Sequence, residues 1–336
     1  MTTIAPRQTR PSAWRAADMS DPERWTWRLD GPEIEELLNA VSRLGDPSPE
    51  GLRSLERKDF PLPILGPRLV ALRRELIAGR GFQVVSGLPV AAMTEDEAST
   101  AFVGIGTHLG STRSQNAAGD LLGHVRNVGL DASNPSVRIY QTDERQTFHT
   151  DSTDAVGLLC LETAAQGGES LLVSAAAIYN EMLDRDPTAA ALLFDEVATD
   201  RRGEVPPGQE AFFRIPVLSW FDEHLTVIYQ RQYIDSADRF AEAPRRSPEM
   251  IEALDLFDEI ANDPSMHIRM HLAPGDMQFV HNHSLLHDRT GFVDKPGSPR
   301  HLLRLWLSLP GDRELPPIFA SRYGSTVVGD RGGIVV

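Results

Sequence analysis

A short pair, His149-Thr150-Asp151, is answered far downstream by His287, and any fold this chain adopts has to bring those two places together. In extended chain, residues i and i+2 project to the same side. His149 and Asp151 therefore reach toward one point, with Thr150 facing away. His287 has to arrive from a distant strand, which a barrel-like sheet can deliver. Two imidazoles and one carboxylate form the facial triad that grips one face of an octahedral non-haem iron and leaves the opposite face open. A bare His-x-Asp is common in proteins, so the weight rests on the ordered set.

The rest of the sequence supplies a scaffold of that kind. Its first third reads as helix-rich. Ile34, Leu37, Leu38, Val41 and Leu44 recur at helical spacing. A second helix opens at Pro67, where the missing N–H costs nothing, and Gly79 and Gly81 end it. Phe82 to Val90 reads as a strand, and Thr94-Glu-Asp-Glu97 is a capping box opening a helix to about Leu109. After Gly119 the texture changes to short apolar runs between turn signals: 121–128, 137–141, 156–162, 170–173, 212–220, 226–229, 266–272, 277–281 and 301–309. That density of short strands predicts a mainly β protein with flanking helices, a sandwich or jelly roll. Ser174 and Ser247-Pro248 start two interrupting helices. Residues 1–25 read as a loose tail. No linker cuts the remainder, so 26–336 is expected to form a single elaborated domain, helix-rich to about residue 110.

Composition sets limits on partners. The chain has 336 residues, 41% hydrophobic and 24% charged, with a net charge of -15. Such an acidic balance argues against a broad nucleic-acid or anionic-membrane surface, while local arginines can still serve a small anion. Cys160 is the only cysteine, so no intrachain disulfide can form, which fits a reducing compartment. It lies in the apolar run Gly157–Leu161 and reads as a buried structural thiol. Residues 1–15 lack the apolar segment of a signal peptide, and no apolar stretch approaches the ~20 residues of a membrane span. A cytoplasmic protein is expected, acting on a small molecule, with homo-oligomerisation left open.

Taken in order, His149-Thr-Asp151, Gly167-Gly-Glu-Ser170, Pro274-Gly-Asp276, Asn282, His287-Asp-Arg-Thr290, Arg300 and Arg304 resemble the TauD/TfdA family of Fe(II)/2-oxoglutarate-dependent dioxygenases, taurine dioxygenase-like and clavaminate synthase-like. The resemblance spans roughly residues 80–310. It implies a double-stranded β-helix, a jelly roll with flanking helices. It also implies that His149, Asp151 and His287 hold Fe(II), and that Arg300 pairs with the distal carboxylate of 2-oxoglutarate, helped by the hydroxyl of Ser170. Guanidinium meets carboxylate bidentately, and burial strengthens the pair. Iron, 2-oxoglutarate and O2 would together oxidise an unactivated C–H bond, most simply by hydroxylation, releasing succinate and CO2. The carboxylate of Asp151 favours this over halogenation, because halogenases of the superfamily lack it. Arg304 shares a strand face with Arg300 and in relatives often meets an anionic group on the substrate, so a substrate bearing a carboxylate or similar anion is expected. Its bland alternative is a structural ion pair.

Weaker candidates surround this set. Arg145, Gln146 and Phe148 precede the triad and are expected to line the cavity. Tyr229, Arg231 and Tyr233 alternate along what reads as a strand, with Arg231 facing either substrate or an ion-paired edge. His281-Asn-His283 invites a zinc hydrolase reading, but Ser284-Leu-Leu286 breaks that pattern, and both histidines read better as strand residues near the site. Ser114–Asn116 reads as a loop near the site, with a lid in the 111–146 or 200–212 region, and the Gly-rich 323–333 stretch as a terminal loop. The competing class is a metal-binding jelly roll without oxygenase activity.

Overall fold

The apolar run His301–Ser308 forms a strand that is buried along its whole length, as expected for a strand covered on both faces. In the computed structural model, which describes residues 4–45, 48–131 and 138–334, that strand lies inside a seven-stranded sheet. The spatial order is Thr26–Arg28, Phe82–Ser86, Met277–His281, Ala155–Glu162, His301–Ser308 and Ser111–Arg113, with Leu122–Val125 also paired to His301–Ser308. A second sheet runs His267–Met270, Ser170–Ser174, Leu285–Arg289 and Gln146–His149. Every pairing in both sheets is antiparallel except Thr26–Arg28 with Phe82–Ser86.

The chain alternates between the two sheets. It leaves Gln146–His149 in the smaller sheet, crosses to Ala155–Glu162 in the larger, and returns to Ser170–Ser174. Met277–His281 and Leu285–Arg289 repeat the move across the short 282–284 turn. An apolar layer that includes Phe82, Val156, Leu172, Val280, Leu285 and Trp306 joins the sheets. Helices Gly31–Leu44, Gly66–Ala78 and Glu95–Leu109 share a core with the larger sheet. Helices Ala175–Arg185 and Pro248–Asn262 share one with the smaller. The expected capping box of Thr94 with Glu97 is formed, and Asp30 with Glu33 forms another at the start of Gly31–Leu44. Ser174 and Ser247 cap their helices through backbone N–H groups three residues on.

Several expectations need correction. Residues 4–25 are no loose tail. Trp14 is 2% exposed and donates to Arg80 O at 2.9 Å, and the Tyr179 hydroxyl donates to Ala5 O. Burying two indoles and anchoring their N–H groups offsets the entropy of ordering this segment, which its polar composition concealed. The strand expected over 82–90 stops at Ser86, because Gly87 turns to φ +98. Within 137–141 the residues Ile139–Gln141 form a single 3-10 turn, and Val137 lies outside the described residues. The 212–220 run is two strands, Phe212–Pro216 and Leu218–Phe221. Residues 229–233 do not alternate as a strand, since a helix opens at Arg231 and runs to Ser236.

Candidate active site

His149 ends its strand directly opposite His287, a cross-strand pair with ring centroids 4.1 Å apart. Asp151 follows two residues on, held in place by three contacts. Its backbone N–H donates to Asn282 Oδ1 at 3.1 Å, Trp306 Nε1 donates to its Oδ2 at 2.8 Å, and Arg304 Nη1 lies 3.7 Å from the same oxygen. Asn282, on the turn between the sheets, thus fixes the loop that carries the carboxylate. One donor atom from each of His149, Asp151 and His287 falls within 4.8 Å of the others.

The protonation states suit a metal. Burial depresses both imidazoles below the ordinary histidine value, His287 to about 3. Burial works the other way on Asp151, but Arg304, both imidazoles and the Trp306 hydrogen bond outweigh it and hold the carboxyl below its usual range. Near neutral pH the site therefore offers two neutral imidazoles and one carboxylate. His149 Nδ1 donates to Thr147 O at 2.8 Å, which leaves the Nε2 lone pair facing inward, where it accepts from the Gln146 amide at 2.8 Å. Were a metal held through Nε2, the Gln146 amide would lose this acceptor and be free for another ligand. This donor set fits Fe(II).

Two cavities flank the triad. The first contains Val156, Leu158, Leu302, Ser170, Arg289 and Arg300 beside His149 and His287. Arg300 Nη2 donates to Gly168 O at 3.3 Å and its guanidinium lies over the Phe292 ring, but Nη1 is buried with no partner. An unpaired buried donor on a cation calls for an anionic acceptor. Ser170 Oγ donates to Gln278 Oε1 at 3.0 Å on the same wall. The Gly167-Gly168 turn makes this approach possible. Gly168 sits at φ +72, and a Cβ there would fall 2.7 Å from Arg300 Nε.

The second cavity is more polar. Gln115, Arg138, Tyr140, Glu204, Arg304 and Arg322 contribute to it, together with Asp151. Arg304 is sandwiched between Tyr140 and Trp306 and donates through Nε to Gln115 Oε1 at 2.7 Å. Arg138 pairs with Glu204 at 2.6 Å and donates to the Tyr233 hydroxyl at 2.6 Å. Both regions expected to hold the lid, 111–146 and 200–212, contribute residues to this cavity.

Gln146, Ser170, Arg300 and Arg304 thus all come to the metal triad, while two other expectations fail. Phe148 points into the apolar core beneath the smaller sheet, 2% exposed, with its ring 5.4 Å from that of His267. It is the odd neighbour in a strand whose His149 faces the metal. Arg231 is spent on Asp235, Asp255 and Asp258 and borders neither cavity. Such a triple ion pair leaves no free charge for a ligand. His281 and His283 are also withdrawn from the site. They are fully buried against Asp312 and Asp154, which Arg331 clamps from the other side. Sequence reasoning missed Arg138, Arg322 and Glu204, because nothing in their local pattern distinguishes them from surface charges. It also gave Asn282 no role beyond its place in the motif.

The fold and triad define a non-haem iron oxygenase class, and similarity to known proteins agrees. The profile of the taurine catabolism dioxygenase TauD, TfdA family matches residues 45–306, and the chain belongs to this family. FR-33289 synthase of Streptomyces rubellomurinus is 35% identical over 326 residues, 94% of this chain and 95% of that protein. A uridine-5'-phosphate dioxygenase of Amycolatopsis is 30% identical over 173 residues, 49% of this chain and 62% of that protein. Among solved structures, an asparagine oxygenase in complex with Fe(II), 2S,3S-3-hydroxyasparagine and succinate has a TM-score of 0.65 at 20% identity, covering 84% of this chain and 93% of that one. The non-haem iron oxygenase OrfP with Fe and alpha-ketoglutaric acid has a TM-score of 0.61 at 15% identity over the same shares. The protein is a 2-oxoglutarate-dependent non-haem iron dioxygenase using Fe(II), 2-oxoglutarate and O2. No helix among the described residues is long and apolar enough to cross a membrane.

Proposed function

We propose that this enzyme hydroxylates a C–H bond of a small anionic molecule, on a double-stranded β-helix core formed by one elaborated domain. The observation that carries the reading is the triad standing between two cavities, one with Arg289 and Arg300, the other with Arg138 and Arg322, and with Arg304 bordering both. His149, Asp151 and His287 hold the iron, and Trp306 keeps Asp151 turned to it. When bound, Fe(II) with 2-oxoglutarate and O2 supplies the oxidising chemistry, and succinate and CO2 are released. Arg300 would take the distal carboxylate of 2-oxoglutarate, with Ser170 on the same cavity wall. Val156, Leu158 and Leu302 exclude water around the cosubstrate. On the other side Arg304 would receive an anionic group of the substrate, Gln115 steadies its guanidinium, and Gln146, which borders both cavities, offers an amide. The roles of cofactor and protein divide as usual: the chain supplies binding, orientation and dryness.

An anionic substrate is supported by the arginines of the second cavity, and by a relative named for uridine-5'-phosphate. The net charge of -15 makes a nucleic-acid or membrane surface a poor fit. A single buried cysteine suits the cytoplasm.

Two measurements test this. Anaerobic protein loaded with Fe(II) should develop a weak visible charge-transfer band on adding 2-oxoglutarate, and His149→Ala should abolish it. Succinate release should then be stimulated by members of a panel of small phosphates, phosphonates, sulfonates and carboxylates. No band at saturating iron and cosubstrate would refute the assignment of the triad. A band with stimulation only by uncharged compounds would refute the anionic substrate.

A further inference from the structure

Arg289 lies two residues past His287, on the same strand, and its guanidinium borders the cosubstrate cavity with that of Arg300. Both guanidinia lie over the same ring, Phe292, at 4.7 Å for Arg289 and 5.2 Å for Arg300. Both residues are buried, 7% and 5% exposed. The hydrogen-bond partners of Arg289 are neutral: Nη1 donates to Thr142 O at 3.0 Å and Nη2 to Glu144 O, while Nε is buried with no partner. Arg300 is likewise served only by a carbonyl, that of Gly168. Carbonyl groups satisfy N–H geometry without cancelling charge. Among the described residues neither guanidinium has an ion-pair partner. Asp143, Asp288 and Asp294 lie near enough to act on Arg289 through space but form no ion pair with it: Asp288 is paired with Arg145 at 2.6 Å, and Asp294 accepts the backbone N–H of Arg300 at 2.7 Å.

Two like charges brought together in a buried place repel each other and disfavour the folded state. A dicarboxylate bound in this cavity would supply the close anionic partner that neither guanidinium has. From this we infer that Arg289 is a second charge of the cosubstrate subsite, working with Arg300 to select a 2-oxo acid that carries a distal carboxylate. This rests on Arg300 being the distal-carboxylate partner. Arg289 need not touch the ligand: its field adds to that of Arg300 across an apolar cavity, where charges are weakly screened. Its hydrogen bonds to Thr142 O and Glu144 O hold it in position and leave the charge free to act.

A matched pair of 2-oxo acids separates this from a structural role. 2-Oxobutyrate keeps the chelating end of 2-oxoglutarate and lacks the distal carboxylate. Dissociation constants of both would be measured anaerobically from the charge-transfer band of the Fe(II)-loaded protein, for wild type, Arg289→Gln, Arg289→Lys and Arg300→Gln. The expected result for Arg289→Gln is about a tenfold loss for 2-oxoglutarate with less than about a twofold change for 2-oxobutyrate. Arg289→Lys, which retains the charge, should retain most of the preference. Equal loss for both acids, or no loss for either, overturns the inference and leaves Arg289 a loop anchor. If Arg289→Gln does not fold, Arg289→Met takes its place: a loss confined to 2-oxoglutarate supports the charge role, and an unchanged preference refutes it. Should Arg300→Gln leave the preference intact, the Arg300 assignment fails, and that result is distinct from any behaviour of the Arg289 variants.

Discussion

The two cavities beside the triad both contain arginines, but their charges are balanced in opposite ways. On the substrate side every guanidinium has an anion at hand: Arg138 has Glu204 at 2.6 Å, Arg322 has Glu204 at 3.8 Å, and Arg304 has Asp151 at 3.7 Å. On the cosubstrate side Arg289 and Arg300 meet only carbonyls and a shared aromatic ring. The difference suits the roles proposed for the two cavities. A cosubstrate of fixed structure can be met by a pocket that leaves positive charge unpaired and waits for one dicarboxylate. A substrate cavity that keeps its arginines neutralised gives up affinity, because an incoming anion competes with Glu204 or Asp151. It gains discrimination, since only a ligand with well-placed acceptors replaces those contacts. Disruption of the cosubstrate side should therefore cost more than disruption of the substrate side, and each should leave the other intact.

The largest effect lies between the cavities and should abolish the distinction. His287→Ala removes one of three donors. Loss of a mere outer partner of a metal ligand typically costs about 10–100-fold in metal affinity, and loss of the ligand itself should exceed that. Competition with an Fe(II) chelator measures it directly. Affinity within a few-fold of wild type would mean that His287 is not a ligand.

Arg300→Gln comes next. Removing one member of a buried charge pair costs about 2–5 kcal/mol, so 2-oxoglutarate should bind some 30-fold or more weakly. Turnover at saturating 2-oxoglutarate should stay within a few-fold of wild type, and substrate KM should be unchanged. A parallel rise in substrate KM would mean that the two cavities act as one site.

Much of this site was legible in the sequence, for identifiable reasons. The triad was readable because metal geometry restricts both residue type and spacing, and His149, Asp151 and His287 do converge. Capped helices were readable because caps are local: Thr94 with Glu97 and Ser247 before Pro248 mark real starts. What escaped depends on contacts distant in the chain. Arg231 looks the same in sequence whether it faces a ligand or three aspartates. Only the helix Pro248–Asn262 passing beside it, carrying Asp255 and Asp258, decides the matter. Arg331 sits in a Gly-rich stretch that reads as a terminal loop, yet it is fully buried between Asp154 and Asp312. Phe148 was misjudged for a simpler reason. Strand alternation fixes which residues share a face, and Phe148 adjoins His149, so it had to point the other way.

Arg304→Gln tests the weaker side. Because Arg304 is already partnered by Asp151 and Gln115, its loss should raise substrate KM by about tenfold, less than the roughly 30-fold at the lower end for a buried charge pair. The 2-oxoglutarate KM should move less than about twofold. Iron affinity should fall slightly, since Asp151 loses one of the groups that keep it ionised. Equal rises in both KM values would make Arg304 a structural ion-pair partner and remove the substrate cavity from the comparison.

The smallest and most selective perturbation is Gly168→Ala. At φ +72 an alanine costs about 1–2 kcal/mol of backbone strain. Its Cβ would also press on Arg300, 2.7 Å from Nε and 3.0 Å from Cδ. No charge is lost, so whatever changes reflects the position of the guanidinium alone. The expected outcome is a rise of a few-fold in 2-oxoglutarate KM, a small drop in Tm, and substrate KM as in wild type. A Tm drop without any change in 2-oxoglutarate KM would show that Arg300 can shift and still reach its carboxylate. Affinity would then come from the uncompensated charge of the pocket more than from one fixed hydrogen-bond geometry, and the contrast between the two cavities would be one of charge balance alone.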